Sequence, residues 1–588
     1  MKFPFALAFL LCATFLPTVQ AAEENDDAEF KKVADEYTKG WLAAHPLDAT
    51  SIGLHEYDGR INDYSRLALD AELSRLRRFD ERLKKFDPEK LDGTAAIDLG
   101  ILQTAVKHDL FSMQDMDQFE NNPMTYAQAL DVNVYIKRNF SPLEDRARSI
   151  IAIENQAPNI IIAAKTNLGA NLPKPYVELA IEIARGTVEF LKKDLVLALK
   201  DLKDEHLRGA FAVSNRKASM ALTDYANWLE KEKLPKAIGN WALGEEKYRR
   251  MLAETELVDI APDKLLELGL AELKKEQEAF AEAAKIIDPE KPPIEIFHEI
   301  QKEHPTPDKL IPETAKNLEA VRQYLIDHDL ITLPSKVKAE VRETPPFARA
   351  TSFASMDTPG PFEKKATEAY FYVTPTEKEW PEEQKEQWLT AFNRYTTDIV
   401  SIHEVYPGHY VQFLHLNASS ASRTAKIFGS YSFIEGWAHY TEQMMLEEGF
   451  GKSKDANPSP EEIKRAATYR LAQSDEALLR LCRLCASVKM HTQGMNVEEA
   501  TKFFADNCYY AEKPARQEAM RGTWDPGYLN YTLGKLQILK LRADYKAQEG
   551  DKFSLKKFHD EMLKHGMPPI RLLRQIMLKD KTTWEKVL

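Results

Sequence analysis

The chain has 588 residues, 44% of them hydrophobic and 29% charged, a balance that excludes disorder and allows a large buried core. Its formal net charge of −13 argues against nucleic acid and anionic membrane as partners. After the first residues no run of roughly 18 apolar side chains occurs, so no stable membrane insertion is expected.

The N-terminus reads as a secretory leader over residues 1–21. Lys2 supplies the positive start, an apolar stretch runs from Phe5 to Leu16, and Val19-Gln20-Ala21 resembles a cleavage site. Cys12 lies inside the apolar stretch without a small residue before it, so no lipid anchor is read. An exported protein, periplasmic or secreted, is therefore expected.

Residues 22–335 read as a helical half. Phe30, Val33, Tyr37 and Trp41 recur at helical spacing among Lys and Asp residues. Leu266, Leu270, Leu273, Ala279 and Phe280 do the same between Leu265 and Ile287. Residues 336–588 begin differently. Val337–Val341 alternates, an apolar stretch lies near Ala350–Ser355, Asp357-Thr358-Pro359-Gly360-Pro361 is a turn, and Ala369–Val373 suits a strand. A small antiparallel sheet is expected there, followed by a second helical half. An exposed strand edge in such a sheet can bind an extended peptide through its backbone.

Three cysteines follow the leader: Cys482, Cys485 and Cys508. The odd number leaves at least one unpaired within the chain. Cys482 and Cys485 sit in a helical pattern with no second C-x-x-C, and read as two small apolar side chains of one face.

The segment His403-Glu404-Val405-Tyr406-Pro407-Gly408-His409 carries the chemistry. A hydrolytic zinc site needs three protein ligands, an open position and a base. The common helical solution separates two histidines by four residues, which places both on one face. Here the separation is six, and a regular helix at about 100° per residue would point the imidazoles apart. Pro407 and Gly408 resolve the conflict: proline clashes with the carbonyl four residues earlier, and glycine tolerates conformations closed to other residues. The pair predicts a bulge or kink that returns His409 to the side of His403. Glu404 is then the general base. Glu435 is the best third ligand for a single zinc ion. With His439 and Glu442 it forms one helix face, a stripe that taken alone describes a solvated surface; His439 is expected to stand behind the ligands. Tyr528 and Tyr531 are candidate donors to an oxyanion, each taken alone being an ordinary core residue. Arg516, Arg521, Lys535 and Arg542 are candidate cations for a substrate carboxylate. His491 is read as structural.

These motifs resemble the bacterial family known as domain of unknown function 885, whose pattern H-E-x-x-P-G-H followed by Gln stands here as His403 to His409 with Gln412. The resemblance extends to Glu435-Gly436-Trp437-Ala438, Pro526-Gly527 through Tyr531, Gly534, and, in the first half, Glu154-Asn155-Gln156-Ala157-Pro158 and Leu234-Pro235. One position departs from it, Lys489 standing where the family carries an aspartate two residues before His491. The resemblance implies a mainly α fold similar to gluzincin peptidases of the thimet-oligopeptidase and angiotensin-converting-enzyme type. Two helical halves would flank a deep channel, with His403, His409 and Glu435 as ligands, Glu404 as base and Tyr528 or Tyr531 at the oxyanion. A channel of this kind admits short peptides, as an oligopeptidase or a peptidyl carboxypeptidase does. The alternatives are hydrolysis of a non-peptide amide or ester, a non-catalytic peptide-binding protein, and a metal-free helical scaffold.

Overall fold

The computed structural model describes residues 20–345, 349 and 352–588, with side chains from residue 26 onward. Most of the leader, Cys12, and Ala350 and Thr351 of the apolar stretch lie outside the described residues. The chain is mainly α, 69% helical, with one three-stranded sheet.

Helix α1 (Gln20–Ala44) buries Phe30, Val33 and Tyr37, as its spacing predicts. Helix α2 (Pro262–Ile287) buries Leu265, Leu266, Leu273 and Phe280, but Leu270 is exposed. The buried stripe passes through Gly269, where a Cβ would meet Leu484 at 2.3 Å; the absent side chain lets α2 lie close to the long helix Pro460–Thr492, and Leu270 falls on the Lys/Glu face.

The sheet comprises β1 (Ala339–Glu343), β2 (Ala354–Asp357) and β3 (Ala369–Val373), in the order β1-β3-β2. It is mixed rather than antiparallel: β1 pairs with β3 in parallel, Val341 opposite Phe371, and only β2 runs antiparallel, Met356 opposite Phe371. Alternation identifies a strand but carries no direction, and the segment between β1 and β2 is long enough to reverse the expected pairing. β3 is central and buries Ala369, Phe371, Tyr372 and Val373.

Five further helices build the candidate site: α3 (Arg394–Glu404), α4 (His409–Ala418), α5 (Tyr431–Glu447), α6 (Pro460–Thr492) and α7 (Asn530–Glu549). Three of the five starts are marked by a capping side chain. Asn393 caps α3, Ser430 caps α5, and Ser459 with Glu462 forms a capping box on α6 behind Pro460. One apolar core surrounds α3, α4, α5 and the sheet, with Ile399, Ile402, Phe433, Trp437 and Phe371. Another joins Leu252, Leu265 and Phe280 to Leu478, Cys482 and Leu529, so the chain on both sides of residue 335 shares a core. The three cysteines are free thiols within it.

Candidate metal centre

Helix α3 ends at Glu404, immediately after His403, and α4 begins at His409. Between them the backbone leaves the helical region at Val405 (φ −120°, ψ −75°), the Tyr406–Pro407 peptide is cis, and Gly408 takes φ −63°, ψ −136°. The expected kink is thus a full break between two helices. Gly408 has no alternative: a Cβ there would lie 1.6 Å from the His403 carbonyl oxygen. Its own N–H instead donates to Ile402 O at 2.9 Å. The Pro407 and Gly408 carbonyls accept from Trp437 Nε1 at 3.0 and 3.2 Å, which ties the break to α5.

The break brings the two imidazoles together, ring centroids 4.9 Å apart. Helix α5 adds Glu435, whose Oε2 lies 3.4 Å from His409 Nε2 and 3.7 Å from His403 Nε2. One ligand atom from each of the three residues falls within 4.8 Å of the others. The His409–Glu435 separation of 3.4 Å matches the edge of a tetrahedron around an ion bonded at about 2.0–2.1 Å, roughly 3.4 Å. Glu435 Oε2 is buried without a hydrogen-bond partner, a costly state for a carboxylate. The donor set, two imidazoles and one carboxylate, suits zinc, so these residues fit one ion. Burial pushes the Glu435 carboxyl up, but His409 and His403 outweigh it and hold it far below the usual range.

Glu442, two turns after Glu435 on α5, is fully buried. It accepts from His403 Nδ1 at 2.7 Å and His439 Nδ1 at 3.1 Å, and Arg480 Nη2 lies 3.4 Å away. Burial raises this carboxyl, yet Arg480, His439 and His403 together hold it well below the usual range. A charged carboxylate only accepts, so His403 carries its proton on Nδ1 and turns Nε2 toward Glu435. The stripe of Glu435, His439 and Glu442 is therefore buried rather than solvated, with His439 held by Glu442 and not adjoining the ligand atoms. His439 is driven down to about 3, by burial first and then by Lys535. Lys535 is itself buried, makes no ion pair among the described residues, and is lowered by burial. His409 Nδ1 has no protein partner.

Glu404 accepts from the Met356 N–H at 3.2 Å. Thr374 N donates to Phe353 O, and the alternation of an antiparallel ladder then turns the N–H and C=O of Ala354 and Met356 away from β3. Glu404 thus touches the free edge of β2.

The two tail tyrosines separate. Tyr531, on α7, packs its ring 5.9 Å from that of Tyr431 on α5 and has the guanidinium carbons of Arg483, Arg480 and Arg521 at 5.0, 5.7 and 5.7 Å. Tyr528 meets this group only at Arg521, whose guanidinium carbon lies 5.9 Å from its ring centroid. It lies on the 3-10 turn Pro526–Leu529, fully buried, with its oxygen 4.0 Å from Met490 Sδ. Gly522 makes room for that oxygen, which a Cβ would approach to 2.4 Å. Tyr528 is therefore a core residue, because the tight turn rotates it away from the face that α7 presents. Among the cations, Arg516 and Arg542 are taken by Glu498 and Glu447. His491 is structural, its Nε2 bonded to Gly522 O at 2.8 Å and its Nδ1 accepting from Leu243 N.

Sequence reasoning missed Arg480, Tyr431 and Glu256. Glu256 is buried and accepts from Ser430 Oγ and Ser432 Oγ, both at 2.5 Å, and from Tyr431 N at 3.1 Å, which fixes the start of the helix that carries Glu435. Close packing fixes the rest of that helix: a Cβ on Gly436 would meet Gly534 of α7 at 2.4 Å. The available signals were the paired glycines and Ser430-x-Ser432, neither of which names its partner.

The family model described as bacterial protein of unknown function (DUF885) matches residues 46–577. The chain belongs to this family. Among curated proteins none matches. A solved structure from Shewanella oneidensis, described as a "putative lipoprotein of unknown function", is 25% identical with a TM-score of 0.76, covering 94% of this chain and 100% of that one. A second, described as a "putative lipoprotein" from Colwellia psychrerythraea, is 17% identical with a TM-score of 0.75, covering 95% and 99%. Both share the fold of this DUF885 chain over nearly its whole length. Among the described residues no helix is long and apolar enough to cross a membrane.

Proposed function

We propose that this DUF885 protein is an exported, zinc-dependent hydrolase of peptide bonds in short peptides. The observation that carries the reading is the meeting of one ligand atom each from His403, His409 and Glu435 within 4.8 Å of one another, with Glu435 Oε2 unpartnered among the described residues. The likeness to gluzincin peptidases belongs to the same proposal.

When bound, zinc supplies the Lewis acidity that polarises a carbonyl and lets water attack near neutral pH. The protein supplies the rest. His403, His409 and Glu435 hold the ion, with His403 fixed by Glu442. Glu404, the residue after a ligand, takes the proton of the attacking water and returns it to the leaving amine. Its bond to Met356 keeps it at the strand edge where an extended peptide can add its own backbone hydrogen bonds. That edge favours a peptide over a non-peptide amide or ester. Tyr531, close to Arg480 behind His403, is the tyrosine suited to donate to the oxyanion, and Tyr528 is not. Export is supported by the leader and by the description of both structural neighbours as putative lipoproteins.

The test is Glu404→Gln. The variant should bind zinc as the wild type does and lose at least a hundredfold in peptide turnover, the upper range for a general base being about 10⁴. Retained turnover removes Glu404 from the reaction.

A further inference from the structure

Arg480, Arg483 and Arg521 converge on the single ring of Tyr531. Three guanidinium groups this close repel one another, and the fold offsets that with carboxylates. Arg483 gives Nε and Nη2 to Glu518, both at 2.8 Å. Arg521 gives Nε to Asp525 at 3.0 Å and Nη2 to Tyr431 Oη at 3.1 Å. Arg480 gives Nη1 to Glu476 and holds Nη2 3.4 Å from Glu442. Each arginine keeps an unused edge. Nη1 of Arg483 and Nη1 of Arg521 make no hydrogen bond within the described residues, and Arg480 Nε is buried without a partner.

The wall lies at the margin of the core rather than in bulk water. Tyr431, Tyr531 and Arg521 keep part of their surface accessible, yet burial is the largest influence on both Tyr431 and Arg521. Arg480 and Arg483 are 7% and 8% exposed. The wall also adjoins the metal ligands. Tyr431 stands one turn before Glu435 on α5, about 6 Å along the axis.

We infer that the free N–H groups of Arg483 and Arg521 form a carboxylate subsite that holds the C-terminal carboxylate of the bound peptide. The inference rests on the peptide reading above and sharpens it: the protein removes residues from the C-terminal end rather than cutting internally. Guanidinium forks match a carboxylate and carry a charge-assisted bond. An amidated C-terminus offers neither the charge nor the second acceptor.

The experiment measures binding by calorimetry to zinc-loaded Glu404→Gln protein, so that turnover does not interfere. The probes are an alanine pentapeptide with a free C-terminus, the same peptide as its C-terminal amide, and an amide whose last residue is Glu. The free acid should bind roughly 10- to 100-fold more tightly than the alanine amide, and Arg521→Ala or Arg483→Ala should remove the difference. Arg521→Lys, which keeps the charge and loses the fork, should remove most of it. Tight binding of the Glu-ended amide keeps the subsite and moves its carboxylate source to a side chain. Equal affinities for acid and alanine amide overturn the subsite alone, and need no variant to fold. Binding of none of the three overturns the peptide reading and the subsite with it.

Discussion

Replacing Glu442 by Gln removes one charge from a carboxylate that holds three groups at once: His403 Nδ1 at 2.7 Å, His439 Nδ1 at 3.1 Å and Arg480 at 3.4 Å. The amide can still accept from His403, so the imidazole keeps its direction but loses the charge that makes it a stronger ligand. Loss of such a partner costs metal affinity about 10- to 100-fold. The ion stabilises the folded chain in proportion to the logarithm of its affinity, so the stabilisation at a fixed excess of zinc should fall by about 1.4–2.7 kcal/mol. The metal-free variant also loses stability, because Arg480 is buried and keeps only Glu476 as an ionic partner. That second pair limits the cost to about 1–3 kcal/mol, below the 3–5 kcal/mol of a fully orphaned buried charge. The assay is competition against a chelating indicator for zinc affinity, and denaturant unfolding with and without zinc. Wild-type zinc affinity in a folded Glu442→Gln protein would refute the assignment of Glu442 to the metal centre.

Three further outcomes are expected. Without metal, burial and Arg480 push His403 down, but the carboxylates of Glu435 and Glu442 outweigh them and hold it at about 9; zinc must displace that proton, so loading at pH 7 should release about one proton and apparent affinity should rise about tenfold per pH unit up to pH 9, as calorimetry in buffers of different ionisation enthalpy would show. Gly408→Ala places a Cβ on the His403 carbonyl, and should abolish zinc binding and cost about 3 kcal/mol or more in stability, measured by zinc titration and unfolding. Glu154 is fully buried, bonded to Ser214 Oγ at 2.5 Å and Asn215 Nδ2 at 3.0 Å, and burial raises it to about 7. Because the folded chain holds this proton more tightly than the unfolded one, its contribution is full below about pH 4.5 and is lost as pH rises through 7. Glu154→Gln should therefore gain up to about 3 kcal/mol over wild type at pH 8 and nothing at pH 4.5, read from denaturation midpoints.

The parts of the site legible in the sequence are those whose chemistry is local. His403, Glu404, Pro407, Gly408 and His409 are neighbours in the chain, and the clash of Pro407 with the helix follows from its ring alone. Helical stripes such as Phe30, Val33 and Tyr37 need only a period. Other features depend on what the chain packs against. The stripe of Glu435, His439 and Glu442 reads as solvated because carboxylates favour water; only the approach of α3 and α6 turns it inward and makes Glu442 a partner of His403. Tyr528 and Tyr531 are three residues apart, yet the 3-10 turn before α7 sends one to Met490 and the other to the arginines. The apolar run Ala369–Val373 shows an edge-to-centre position no more than it shows direction, and the parallel pairing of β1 with β3 comes from the path of the intervening chain.

The central claim is that one ion held by His403, His409 and Glu435 serves peptide hydrolysis. The most direct measurement follows turnover of a mixed short-peptide library by the purified protein, before chelation, after it, and as zinc is restored. The account predicts loss of cleavage with the chelator and full recovery at one zinc per chain. Cleavage that survives complete removal of metal, or a zinc-loaded protein that cleaves no peptide, would contradict it.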